Sequence, residues 1–415
     1  MSLPLTRRHI LALLAGGAAS TALSRPSLSN NLGLGQMEMK EGYDSITSPL
    51  DAAMSSSPLL SSGTIEATER ALAKYQELAA QGGWPQVTGN ERLQLGDDNA
   101  DVVSLRQRLV ASGDLAPSLG RSPVFDSYLD GAVMRFQARH GIEASGVVGD
   151  TSRAALAIPI DVRVKQLQMN IVRLREMGSL GSRYMMMNIP ATEVEAVSNG
   201  VVEQRHNTVI GKPDRPSPIL STVVQNVNFN PFWTVPLSII KKDLIPLMQK
   251  DPGYLTEHHI RIYTPTGQEI LASQIDWNTD EATRMRFTQD PGFDNSLGQV
   301  RINIANQYGV YMHDTPEKSV FGSEYHFDSS GCARVQDVRD LCAWILQGTE
   351  YTRDRIDEVI RSGARTTATP TAKVPVFWIY VTAWATPEGL VEFRDDVYNK
   401  DGYANLAVVT NDDNG

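Results

Sequence analysis

From residue 64 to 80 the apolar positions Ile65, Leu72, Tyr75 and Leu78 stand among Ala and Glu at spacings that return to one face, and Gly82-Gly83 ends the run. The spacing predicts a helix capped by Thr64. Three shorter helical patterns follow between 93 and 159. Val102, Leu105 and Leu109 share one face, Leu129, Val133 and Phe136 share another before His140-Gly141, and Asp150 is placed to cap 151–156. A fourth stripe, Val164, Leu167, Ile171 and Leu174, predicts a helix over 161–177 that returns to pack on the first. From Tyr184 the pattern changes to short runs of Val, Ile and Thr broken by Pro and Gly, which predict strands, among them 300–306, 308–313 and the apolar run 374–384. One long interruption starts with a helical pattern over 241–250 and continues as a stretch rich in Thr, Asp and Pro. An insertion of that length inside a compact domain predicts a cover over a functional site.

The patterns together predict an α+β multidomain chain. A helical scaffold (63–90 and 160–182) flanks a small three-helix domain (91–159), and a β-rich domain (183–385) carries a helical capping insertion at about 238–295. The Ser-, Asn-, Gly- and Pro-rich stretch 25–62 reads as a flexible linker, and 386–415 as a C-terminal tail. Residues 1–24 begin with Arg7-Arg8, continue through the apolar run Ile10-Leu11-Ala12-Leu13-Leu14-Ala15 and end in small residues, the order of an export signal. The paired arginines resemble a twin-arginine signal, and the run is shorter than the ~20 residues that span a bilayer. The expectation is an exported, periplasmic protein handled by the export machinery.

Composition narrows the chemistry. A net charge of −10 repels phosphate backbones, which excludes nucleic acid as a partner. The seven His are scattered without ligand spacing to Cys or to clustered acids, so neither a metal nor another cofactor is implied. Of the two Cys, Cys342 falls on the apolar face of a helical pattern over 338–346 and reads as a core residue, which leaves Cys332 as a free thiol.

Two blocks carry reactive groups: Gly309-Val310-Tyr311-Met312-His313-Asp314-Thr315-Pro316 and Ser329-Ser330-Gly331-Cys332-Ala333-Arg334-Val335. On a strand Tyr311 and His313 share one face while Val310 and Met312 turn to the core. A thiol with an ordinary pKa of ~8.5 needs a base, and His313 is placed to supply one, with His326 as a rival on a loop. Gly331 permits a tight turn that presents the backbone N–H groups of Gly331 and Cys332 as an oxyanion hole. Arg334 offers a planar fork for a substrate carboxylate, or is a surface residue paired with Asp337. Alternation directs the Asp314 side chain away from His313, so a backbone carbonyl is expected to orient the ring. A buried hydrophobic role for Cys332 is the bland alternative, and the polar Ser329, Ser330 and Arg334 around it argue against that role.

The helical segment resembles the peptidoglycan-binding domain through Leu95-Gly96, Asp101-Val102, Leu105, Arg108-Leu109, Phe136-Gln137, His140-Gly141, Gly146 and Val148-Gly149; a bundle without a ligand is the other reading. Residues 184–385 resemble the L,D-transpeptidase (YkuD-type) catalytic domain, in particular its larger Gram-negative branch with a capping insertion. The matching residues are Asn230-Pro231, Trp233, Val235-Pro236, Leu297-Gly298, Val300-Arg301, Asn306, Tyr311, His313-Asp314-Thr315-Pro316, Ser329-Ser330-Gly331-Cys332 and Arg334-Val335. Ser330 stands where many relatives carry His.

The resemblance implies a cell-wall enzyme without a cofactor. Its Cys332 attacks the bond between diaminopimelate and the terminal D-Ala of a tetrapeptide stem, releases D-Ala through a thioester, and passes the acyl group to a second diaminopimelate amine as a 3-3 cross-link. It further implies that Arg334, Tyr311, Trp233 and Ser330 line the substrate cleft and that carbapenems acylate the thiol. The same Cys/His pair would equally serve an L,D-carboxypeptidase, a D-amino acid exchange enzyme or an amidase, and an inactive wall-binding scaffold is the reading from another class.

Overall fold

The computed structural model describes residues 57–323 and 325–402; the export signal, most of the linker and the last part of the tail lie outside the described residues. Helix α1 (Ser62–Ala80) starts earlier than its apolar stripe. Ser61 is the cap rather than Thr64: its hydroxyl accepts the Thr64 N–H at 3.1 Å while the Thr64 hydroxyl accepts the Ser61 N–H at 3.2 Å. Small polar residues ahead of Ile65 add no apolar signal, so the pattern places the helix start too late. The linker's last residues are docked instead of free. Leu59 and Leu60 are buried against Tyr184 and Met186, and the Leu59 N–H donates to Glu195 at 3.0 Å.

Helices α2 (Ala100–Ser112), α3 (Ser127–Arg139) and α4 (Asp150–Ala157) enclose a small core of Val102, Leu105, Leu109, Phe125, Leu129, Val133 and Phe136. Asp150 opens α4 but makes no side-chain cap bond, since Gly149 holds the cap position. Helix α5 (Ile160–Glu176) packs back along α1. The wall of the bundle reaches this pair through Arg108, whose guanidinium lies 3.7 Å from the Trp84 ring centroid.

Strands β1 (Arg183–Asn188), β2 (Glu193–Ser198), β3 (Val201–Val209) and β4 (Leu220–Phe229) form the first part of the β domain. The insertion follows. It holds a helical stretch, 237–250, together with strands β5 (Trp233–Thr234), β6 (Ile260–Tyr263), β7 (Glu269–Ile270) and β8 (Arg286–Gln289) in a four-stranded sheet ordered β5-β8-β6-β7. The cap is therefore mixed α/β with its own core, built on Ile240, Leu244, Ile262 and Phe287, rather than helical. Strands of two to four residues are too short to show a period of two, which hid them from the pattern.

After the cap come β9 (Val300–Ile304), β10 (Met312–His313), β11 (Ala333–Val335), β12 (Thr366–Ala368) and β13 (Pro375–Ile379). Neighbours run β4-β13-β1-β2-β3-β11-β10-β9, and β9 pairs with β4 again, so the sheet closes on itself with β12 added beside β4. Long β4 makes the closure possible by pairing with β13 through Leu220–Val223 and with β9 through Val224–Phe229. Met185, Val194, Val227, Ile302, Met312 and Ala333 fill one buried cluster, which takes in Leu341, Cys342 and Ile345 from the helix Val338–Ile345. Cys342 is a buried free thiol in that core.

The tail is also part of the body. Strands β14 (Ala383–Ala385) and β15 (Val391–Phe393) pair, and Phe393 is buried against Tyr75 of α1. No helix among the described residues is long and apolar enough to cross a membrane.

Candidate active site

Strands β9, β10 and β11 lie side by side, and their register assembles the reactive groups. His313 pairs with Arg301 of β9 and Arg334 of β11, while Met312 pairs with Ile302 and Ala333. The Ala333 N–H donates to the Tyr311 carbonyl at 3.1 Å, which sets Cys332 beside Tyr311 just ahead of the ladder. Alternation then puts Tyr311, His313, Arg301, Cys332 and Arg334 on one face, with Met312, Ile302, Ala333 and Val335 in the core behind them.

Cys332 stands at the head of a turn that only glycine accommodates well, because Gly331 has φ +106°. The Gly331 N–H, expected as an oxyanion donor, is bonded to the Ser329 hydroxyl at 3.1 Å, and that hydroxyl donates onward to the Cys332 carbonyl at 2.6 Å. The turn thus satisfies one of the two expected donors from within itself.

The His313 ring is oriented by a backbone carbonyl. Its Nδ1 is hydrogen bonded to the Asp314 carbonyl oxygen, which can only accept, so Nδ1 carries the hydrogen and Nε2 keeps a lone pair. The Asp314 side chain faces the other way, taking the Gln299 N–H at 3.0 Å and pairing with Lys318. Burial and the neighbouring Arg334 push the His313 pKa down to about 4, with Arg301 adding to the shift. Burial pushes the Cys332 thiol up to about 11, against the opposing pull of hydrogen bonds from Tyr311 and of the Arg301 and Arg334 charges. The resting pair is a neutral thiol beside a neutral imidazole. Tyr311 is raised above the ordinary phenol range by burial and by Cys332 and accepts a hydrogen bond from Trp233, which links the cap to the nucleophile.

Among the described residues no cluster of His, Cys, Asp and Glu is placed to hold a metal ion. The rival base His326 has its Nδ1 3.4 Å from the Thr192 hydroxyl, and no ion pair joins Arg334 to Asp337 among the described residues.

Comparison with known proteins finds two family matches along the chain. Residues 182–376 match the family model of the L,D-transpeptidase catalytic domain, and residues 98–156 match that of the "Putative peptidoglycan binding domain". A "Putative L,D-transpeptidase" of Haemophilus influenzae is 32% identical over 246 residues, 59% of this chain and 50% of that protein, so the chain spans half the length of this relative. Residues 182–376, just under half of the chain, are thus similar to the L,D-transpeptidase catalytic domain. Among solved structures, an L,D-transpeptidase from Mycobacterium smegmatis shares 13% identity at a TM-score of 0.25, covering 48% of this chain and 58% of that one. One from Stackebrandtia nassauensis shares 10% at 0.26, covering 71% and 96%. Likeness at that level carries no weight in the assignment.

The site draws on further residues to which its motifs assign no role. The loop 211–217 cradles the nucleophile turn: the Ser217 hydroxyl donates to the Gly331 carbonyl at 2.9 Å and accepts the Gly211 N–H at 3.0 Å. Tyr398, from the segment read as tail, accepts the Ser217 N–H at 3.1 Å and donates to the Gly211 carbonyl. Arg215 grips Asp243 of the cap with both Nη atoms and donates to the Ser330 hydroxyl at 3.0 Å, so Ser330 ties the turn to the cap. Arg301 stacks 4.2 Å from the Tyr311 ring centroid; strand alternation within Val300-Arg301-Ile302 was the signal that would have found it.

Proposed function

We propose that the chain is a peptidoglycan L,D-transpeptidase that joins stem peptides by 3-3 cross-links. The observation that carries this reading is the single face shared by Cys332, Tyr311 and His313, with His313 Nε2 left as the acceptor. In acylation the thiol proton passes to His313 Nε2 as the sulfur bonds to the carbonyl carbon between diaminopimelate and D-Ala. The oxyanion forms beside the Cys332 N–H. When the C–N bond breaks, His313 returns the proton to the departing D-Ala amine and a thioester remains. A diaminopimelate side-chain amine then attacks that carbonyl, loses its proton to His313, and the sulfur leaves as a thiolate that takes the proton back. No metal enters these steps.

The export signal expected over residues 1–24 supports a periplasmic site of action, and the match of residues 98–156 to a peptidoglycan-binding domain supports a role in holding the enzyme on its polymer. The test is intact-mass analysis of the protein incubated with a disaccharide tetrapeptide, beside Cys332→Ala and His313→Gln. The expected outcome is a Cys332-dependent acyl adduct, D-Ala release and a dimer linked between two diaminopimelates, with acylation slowed ~10²- to 10⁴-fold in His313→Gln. Release without a dimer would assign a carboxypeptidase. Absence of any adduct, from substrate or from a carbapenem, would leave the wall-binding scaffold as the function.

A further inference from the structure

A recess of about 420 Å³ opens next to the reactive face, between β4, β9 and β12. Arg301, Arg365, Asn228, Thr366, Thr367 and Phe232 are among its lining residues, and no carboxylate lines it. The Arg365 guanidinium lies 4.3 Å from the Phe232 ring centroid, and the Arg301 guanidinium 4.2 Å from that of Tyr311. Arg301 Nε is buried without a hydrogen-bond partner, and among the described residues neither arginine is in an ion pair. Arg215, Arg339 and Arg353, by contrast, all hold carboxylates. Two forked cations turned on one recess, with no acid to balance them, suit a planar anion taken from solution.

The register says which anion. Under the transpeptidase reading, on which this inference rests, His313 protonates the departing D-Ala nitrogen, and the D-Ala carboxylate is one carbon away from that nitrogen. It must therefore sit within a few ångströms of His313, on the side that leads away from the acyl group. Two arginines flank His313 in the sheet. Arg334 lies on the strand that carries Cys332 and so borders the acyl half. Arg301 lies on the opposite strand and leads into the recess.

The geometry points to Arg301 and Arg365 as the subsite for the carboxylate of the residue being released, and so as the selectors of donors that end in a free D-amino acid. Occupancy has a second consequence. The positive charge of Arg301 is one of the causes that hold His313 low, so a bound carboxylate relieves part of that pressure and makes His313 a stronger base when a correct donor is present.

The test compares two donors, a disaccharide tetrapeptide ending in D-Ala and the same molecule ending in D-alaninamide, by kcat/KM for acylation in wild type, Arg365→Gln, Arg301→Gln and Arg334→Gln. Charge-assisted hydrogen bonds of this kind give the wild-type enzyme an expected preference for the acid of ~10- to 100-fold. Arg365→Gln is expected to lower that preference mainly through KM. Arg301→Gln is expected to reduce it to within about threefold and to lower kcat as well. Thermal melting and circular dichroism confirm that each variant is folded.

Equal use of both donors by the wild-type enzyme would overturn the subsite while leaving the transpeptidase standing. So would a preference that survives in Arg301→Gln and Arg365→Gln and disappears only in Arg334→Gln. Failure of wild type to turn over either donor would remove the transpeptidase reading and the subsite with it.

Discussion

At the scale of single residues, the site is built to keep its charge uncommitted until a substrate arrives. Burial holds Cys332 protonated, and burial with Arg334 holds His313 neutral. A preformed thiolate–imidazolium pair would be alkylated at a rate that is level from mildly acidic pH upward. Here the rate of iodoacetamide alkylation is expected to be low at pH 7 and to climb about tenfold per unit until it bends near the Cys332 value of about 11. A plateau beginning below pH 7 would refute the neutral pair. The linkage to stability has a definite sign. The folded-state value of His313, about 4, lies below its ordinary 6.5, so the unfolded chain binds the extra proton first. The contribution is complete above pH 6.5 and is lost as pH falls toward 4, amounting to about 3 kcal/mol. Strand alternation made the shared face of Tyr311 and His313 legible in the sequence. The fate of the Gly331 N–H was not legible, because it is taken by the Ser329 hydroxyl inside a turn whose Gly331 carbonyl is held by Ser217, more than a hundred residues earlier.

At the scale of elements, Arg215 joins what the chain separates. It sits on the loop between β3 and β4, holds Asp243 in the cap and reaches Ser330, two residues ahead of the nucleophile. Arg215→Met removes the fork but keeps the stem. The pair is partly exposed, so its loss is expected to cost about 1 kcal/mol of stability or less. The larger effect falls on the turn: faster amide exchange over 237–250 and over 329–332, with acylation slowed by roughly tenfold, of the order seen when a positioning contact is lost. Unchanged exchange in both segments would show that the cap and the turn are held independently. The cap also marks where pattern reading ends. The helical period over 241–250 was visible because it runs for several turns, whereas β5 and β7, two residues each, have no period to detect. Tyr398 escaped notice for a related reason. A lone aromatic in a polar stretch gives no local signal, and its role comes from the carbonyl of Gly211 across the fold.

At the scale of the whole molecule, a histidine sits where the helical domain meets the C-terminal strands, beside the Arg139 bond to the Val391 carbonyl and the Arg394 bond to the Arg139 carbonyl. In the sequence His140 was legible as a helix stop and as part of the peptidoglycan-binding motif, not as a junction residue. In the structure its ring stacks on Phe136 of α3, with centroids 3.9 Å apart, and on Phe393 of β15, at 5.4 Å. Its Nδ1–H donates to the Phe136 carbonyl at 2.7 Å. Burial holds its pKa well below the ordinary value, and the cations Arg139, Arg163 and Arg108 act in the same direction. The neutral ring behaves as a third aromatic in the stack, and a charged one would be buried beside three arginines. Because the folded-state value is depressed, the docking contribution is complete above the ordinary pKa of 6.5 and declines as pH falls below it. The readout must be local, since His313 titrates in the same direction. Amide protection over 136–141 and 391–394 is therefore expected to fall between pH 7.5 and pH 5 before protection at β10 and β11 does. His140→Phe keeps a flat ring and removes the titrating group, so the acid-linked loss at this junction should largely vanish in that variant, at the cost of one hydrogen bond, about 1 kcal/mol. If the variant loses protection over the same pH range as the wild type, the junction is governed by Arg139 and its buried partner Asp114, whose side chains meet at 2.6 Å, and not by the histidine.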